Sequence, residues 1–152
     1  MLQPVFGPEV AAWVAARIAQ VGAAERFGPH AAIGVSRGGA LIAGAVFNNW
    51  RGHDIEVSFA SADPRWARRG MVRTLFAYPF AQLGCARLSS LTAHGNARAR
   101  KLLTGLGFTH EGVLRRGFDG AEDALIFGML REECRWLEDS HGKRLATPAA
   151  RP

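Results

Sequence analysis

The chain has 152 residues, 48% of them hydrophobic and 21% charged, a mixture that fits one ordinary globular domain. The apolar content excludes disorder over most of the length, and without an 18-residue apolar run no membrane span is expected. Nineteen Lys and Arg against 13 Asp and Glu leave a formal charge of +6, which suits an anionic partner, either nucleic acid or a phosphate-bearing cofactor.

The N-terminal stretch MLQPVFGPEVAAWV lacks the basic-then-apolar order of a secretory signal. Cys85 and Cys134 make no disulfide framework, and no Cys/His cluster has zinc spacing. A cytoplasmic protein with reduced thiols and no metal is expected.

In chain order, the spacing of Val10, Trp13, Val14, Ala16 and Ile18 predicts an amphipathic helix over 9–19, with Pro8 near its first turn. A short helical turn over 24–27 closes at Gly28-Pro29. The apolar runs 31–35 and 41–47 read as a hairpin turning at Arg37-Gly38-Gly39. Residues 55–61 alternate strictly. Ile55, Val57 and Phe59 point to one face and Glu56, Ser58 and Ala60 to the other, until Asp63-Pro64 ends the strand.

A helix over 69–83 follows, limited in regularity by Pro79 and closed by Gly84. Then come a strand over 87–93, a helix over 96–106 ending at Gly107, and strands over 108–116 and 124–130 joined through Asp119-Gly120. A short helix over 131–137 precedes a polar tail. The order predicts an α/β (α+β) single domain over 1–137 with a mixed sheet, antiparallel early and with crossover helices in the middle, and a flexible tail over 138–152.

The segment 58–72 carries the chemistry. A strand ends, a proline loop follows, and a helix opens at Arg68-Arg69-Gly70. Free N–H groups and the positive end of the dipole make such a start a phosphate site. Arg65, Arg68, Arg69 and Arg73 surround it, and Gly70 permits close approach. The competing reading is a solvated basic helix start.

Two motifs, DPRWARRGMVRTL (63–75) and NARARKLLTGLGF (96–108) followed by Glu111-Gly112, make the chain from Ala31 to Leu137 resemble the GCN5-related N-acetyltransferase (GNAT) superfamily. The ending MLREEC (129–134) is similar to its ribosomal-protein acetyltransferase-like branch, and the chain is also similar to members encoded by phages and prophages.

The resemblance implies the GNAT fold and acetyl-CoA as cofactor. It places the diphosphate on Arg68, Arg69, Gly70, Met71, Val72 and Arg73, with Ala67 standing where the family has Gln or Arg. It implies that Phe59, Ala60 and Ser61 hold the pantetheine arm and the acetyl carbonyl through their backbone. Asn96, with Arg100 on the same helix, would contact the cofactor arm; an N-cap is the other role open to Asn96. The family's tyrosine acid falls at Leu103, and Tyr78 reads as packing. Glu56 is the candidate base, against an ordinary strand residue facing solvent or Arg87. His94, His110 and Glu111 are further candidates.

A neutral amine must attack. Near pH 7, deprotonating a lysine costs about 4.6 kcal/mol and an α-amine about 1 kcal/mol, which favours a protein N-terminus or small-molecule amine. Two rival readings remain: a nucleic-acid-modifying enzyme using Arg98, Arg100, Arg115 and Arg116 as a backbone-tracking surface, and a non-catalytic coenzyme-binding module. A homodimer through the last strands is a further expectation.

Overall fold

Gly38 and Gly39 take φ of 60° and 82°, the paired positive values that a two-residue hairpin turn requires. They join β2 (His30–Arg37) to β3 (Ala40–Asn48), both longer than the apolar runs that announce them. A computed structural model describes this hairpin within residues 1–18 and 20–137.

The sequence reading misses β1 (Leu2–Val5), which pairs antiparallel with β2. Its shortness and Pro4 suit an edge strand and conceal it from periodicity. β4 (Asp54–Ser61), β5 (Arg87–Ala93), β6 (Thr109–Leu114) and β7 (Ala124–Leu130) complete a seven-stranded sheet of order β1-β2-β3-β4-β5-β7-β6. Among the described residues only β4 and β5 pair in parallel. The mixed sheet with a crossover in its middle is as expected.

The alternation read in β4 holds. Ile55, Val57 and Phe59 face a core shared with α2 (Arg69–Ala77) and α3 (Ala97–Leu106), where Val72, Leu75, Phe76, Leu103 and Leu106 are buried. On the other face α1 (Pro8–Ala15) lies across β2 and β3. It approaches so closely that a Cβ on Gly44 would stand 2.8 Å from Val14.

Several element ends differ from expectation. α1 stops at Ala15 and not at Ala19, which lies outside the described residues. The Arg17 N–H bonds the Val14 carbonyl three residues back, while its guanidinium takes the Trp13 carbonyl and sits 3.6 Å over the Trp13 ring. That tightens and ends the helix.

The helix expected over 69–83 is α2 followed by a wider π-type turn over Tyr78–Gln82, because Pro79 carries no N–H. β6 is shorter than 108–116: Phe108 drops into the core, and Arg116 adopts a φ of 54°. Residues 131–137 form two 3₁₀ turns in place of a helix. They cap helical carbonyls: Arg131 donates to Phe80, Arg135 to Gly105, and Trp136 Nε1 to Leu106 at 2.8 Å. The tail expected over 138–152 lies outside the described residues.

Candidate functional site

The ladder between β4 and β5 has three rungs, Asp54↔Arg87, Ile55↔Leu88 and Glu56↔Ser89. Beyond Glu56, β4 follows β3 as far as Ser61, while β5 follows β7 as far as Ala93. The two strands therefore part into a V-shaped notch with its apex at Glu56. Ser90 helps to open it: its hydroxyl donates to the Val57 carbonyl at 2.8 Å, in the place of a strand partner.

Strand groups alternate in direction, so the N–H and C=O of Phe59 point to the same edge as the Val57 carbonyl, into the notch. At the mouth Arg98, on α3, reaches across to the Ser61 carbonyl at 3.3 Å. The Phe59 ring packs behind the notch against Phe76 and Phe108, at centroid distances of 6.4 and 6.3 Å.

The notch leads to the start of α2. Asp63 Oδ1 accepts the Arg65 N–H at 2.9 Å, and its carboxylate pairs with the Arg65 guanidinium at 2.6 Å. This partner holds Asp63 down at about 2. The tight turn over Pro64–Trp66 is anchored by the buried Trp66.

Arg68 occupies the N-cap without offering a side-chain acceptor, and no acidic residue stands in the first turn of α2. The helix start thus keeps its positive end unneutralised. A cleft of about 350 Å³ adjoins it, lined by Arg37, Arg65, Arg68, Gly70 and Met71 together with Met1 and Leu2.

Gly70 has no positive φ, and a Cβ there would meet no protein atom. The fold itself does not require this glycine, and the space above it suits a close-lying phosphate. Arg69 sits in the same turn and Arg73 one turn further on. Val72 is turned wholly into the core and its N–H bonds the Arg68 carbonyl, so it contributes packing and not a contact on the anion face.

Asn96 is the N-cap of α3: its Oδ1 accepts the Ala99 N–H at 3.0 Å. Arg100, one turn on, has a buried Nε without a hydrogen-bond partner. Such a donor costs about 1–3 kcal/mol until an acceptor reaches it, so it suits an oxygen-rich arm. Leu103 is core, and Tyr78 packs tilted against Phe47, with ring centroids 5.1 Å apart.

Glu56 sits half-buried at the apex, on the face turned away from α2 and α3. It accepts the Asn49 side-chain amide at 2.9 Å and, among the described residues, forms no ion pair. Arg87, considered as its partner, goes elsewhere. It binds Glu111 at 2.6 and 3.2 Å and approaches the buried Asp54 at 3.8 Å. Asp54 is satisfied by Arg51 and by the Ser89 hydroxyl at 3.0 Å.

Hydrogen bonding to Arg87 holds Glu111 below the usual carboxylate range, which makes it a weak base. His110 pairs with Phe127, a core residue, and so lies on the opposite face from Glu56. His94 stands exposed beyond the far end of β5, its N–H on the Asp123 carbonyl. Glu56 alone of the four base candidates is at the apex.

Sequence reasoning missed Arg37 and Ser90, and it assigned Arg98 only to a nucleic-acid surface. Arg37 comes from a hairpin end distant in sequence, and nothing local marks it. Among the described residues no His/Cys/Asp/Glu group could hold a metal ion, and no helix is long and apolar enough to cross a membrane.

No protein-family model matches the sequence, and no curated protein matches it significantly. Solved structures do resemble the fold. The ribosomal-protein-S5-alanine acetyltransferase of Vibrio fischeri aligns at TM-score 0.64 and 14% identity, over 88% of this chain and 94% of its own. The ribosomal-protein-S18-alanine N-acetyltransferase of Escherichia coli aligns at 0.59 and 22%, over 86% and 94%. A structure described as a "probable acetyltransferase" aligns at 0.59 and 23% over 68% of this chain. The match spans 62% of that protein, less than two thirds of its length. The seven-stranded sheet with its split between β4 and β5 thus has the fold of GNAT acetyltransferases.

Proposed function

We propose that the chain is an N-acetyltransferase that moves an acetyl group from acetyl-CoA to a primary amine in a ternary complex. The carrying observation is that the notch between β4 and β5 runs into an uncapped, arginine-flanked helix start. A peptide-like arm fits the notch, pairing with the Phe59 N–H and C=O, and a diphosphate fits the amides of Arg69, Gly70 and Met71. Arg68 and Arg37 add charge at the cleft. Asn96 and Arg100 border the arm from α3. The solved relatives that share the fold are named as acetyltransferases, which supports the same reading.

Acetyl-CoA supplies the activated thioester. The protein contributes position and polarity: a main-chain N–H in the notch polarises the carbonyl, and the amine is held in line with it. Glu56 accepts the proton from the attacking amine, directly or through one water. With Leu103 at the family's tyrosine place, no side chain there protonates the departing thiolate. A thiol of pKa near 8.5 leaves without that help.

A low-pKa amine, a protein N-terminus or a small molecule, is the acceptor. The motif at 96–108 with Glu111-Gly112 and the ending at 129–134 favour kinship with the ribosomal-protein acetyltransferase-like branch, and the chain's likeness to phage- and prophage-encoded members extends the proposal to them. The buried cysteines Cys85 and Cys134 favour a cytoplasmic setting.

A thiol-release assay with acetyl-CoA and a panel of primary amines tests the proposal. Amine-dependent release is the expected result. Coenzyme binding without transfer to any amine would favour a binding module, and steep salt-dependent RNA or DNA binding would favour a nucleic-acid substrate.

A further inference from the structure

We propose that Asn49 is a positioning residue for the base: its side-chain amide holds Glu56 by one carboxylate oxygen and leaves the other for the proton of the attacking amine. This rests on the acetyl-transfer reading with Glu56 as its base, and it deepens that reading.

Asn48 is the last residue of β3 and pairs with Glu56 across the ladder. Paired residues share a face, so a residue continuing the strand at 49 would point to the opposite one. The backbone breaks that alternation. Asn49 takes a φ of 54°, and among the described residues Arg116 is the only other non-glycine with a positive φ. Asparagine tolerates this left-handed conformation better than most side chains. With the alternation broken there, the Asn49 side chain reaches Glu56, and its Nδ2 donates to Oε2 at 2.9 Å. A carboxylate only accepts, so the amide nitrogen is the end that faces it.

No other neighbour takes this role. Ser89, opposite Glu56 on β5, donates its hydroxyl to Asp54 and accepts from Arg87. Arg87 is joined to Glu111, and Arg51 to Asp54. Asn49 therefore supplies the one hydrogen bond that the Glu56 side chain makes among the described residues, and it falls on Oε2 alone. The neutrality of the holder matters too. Arg87 keeps Glu111 below the usual carboxylate range, whereas an amide fixes the direction of a carboxylate without a cation's pull against its proton.

The test needs substitutions that leave the backbone at 49 as it is. Glycine and aspartate both adopt the left-handed conformation. Glycine removes the amide, and aspartate sets a like charge against Glu56. Each is assayed by thiol release for kcat and KM on a panel of α-amines headed by alaninamide, in the wild-type and Glu56→Gln backgrounds, with acetyl-CoA affinity followed by calorimetry. Asn49→Gly should lower kcat by about three- to tenfold. Asn49→Asp should lower it at least as far, and both should keep the amine KM and the coenzyme affinity. In the Glu56→Gln background Asn49→Gly should change nothing, since no base is left to hold. Either variant decides alone if the other fails to fold.

A residue that served only the turn would leave kcat unmoved by both substitutions. That result, or an equal loss in the two backgrounds, would overturn the proposal and leave Glu56 as the base. A kcat unaltered by Glu56→Gln would overturn the base and this proposal together. Protein that binds acetyl-CoA but releases no thiol with any amine would overturn the transfer reading as well.

Discussion

Arg87 on β5 and Glu111 on β6 meet across the intervening β7, at 2.6 and 3.2 Å, and their joined head groups lie flat over Gly128. A Cβ on Gly128 would stand 2.6 Å from the Arg87 guanidinium. Gly128→Ala should therefore push the pair aside at a cost below about 1 kcal/mol, because both head groups are the free ends of flexible, partly exposed side chains. Urea unfolding of the variant measures this. A loss of several kcal/mol would contradict this and mean that the pair is held rigidly in place.

The same pair has a pH signature. Glu111 is lowered from its ordinary value chiefly by the Arg87 hydrogen bond. A carboxylate depressed in the folded state adds stability above its unfolded pKa, near 4.3, and loses it as pH falls through the lower folded value. NMR titration of the Glu111 carboxyl should place its midpoint below that of an unpaired glutamate, and Arg87→Met should raise it. Equal midpoints in the two proteins would contradict the pairing.

Gly70 offers a test in which stability and binding move in opposite directions. An aspartate in the first turn of α2 favours the helix, by about 0.3–1 kcal/mol. It also puts a negative charge where the diphosphate belongs. Gly70→Asp should raise the melting temperature slightly and weaken acetyl-CoA binding at least about tenfold. Calorimetry and thermal melting on one preparation check both signs.

Glu56→Gln should keep the fold and the affinity for acetyl-CoA, since the amide can still bond near Asn49. Its kcat should fall by about 10²–10⁴-fold, the usual worth of a positioned base. Steady-state kinetics with a reactive α-amine separates the two effects, and an unaltered kcat would remove Glu56 from the proposed mechanism.

Legibility in the sequence followed the physics of each element. β4, β5 and β7 were readable because alternation or apolar runs record burial locally. α3 was bounded by Asn96 and Gly107, which cap it in the structure. β1 was not readable, since its exposure pattern is set by β2 and not by its own residues. The phosphate-ready helix start was visible as a cluster of arginines around Gly70. The notch was foreshadowed only by the family resemblance, which puts the cofactor arm at residues 59–61; no local pattern encodes it, because the Ser90 hydroxyl meets Val57 across 33 positions of sequence separation. Arg37 and the Arg87–Glu111 pair likewise arise from register, which no local pattern encodes.

The central claim is that coenzyme A lies with its arm between the parted strands and its diphosphate on the first turn of α2. A crystal structure with acetyl-CoA tests it most directly. The account predicts main-chain hydrogen bonds from Phe59 to the pantetheine and from the amides of residues 69–71 to the phosphates. A nucleotide bound elsewhere on the molecule, or crystals that take up none at millimolar concentration, would contradict it.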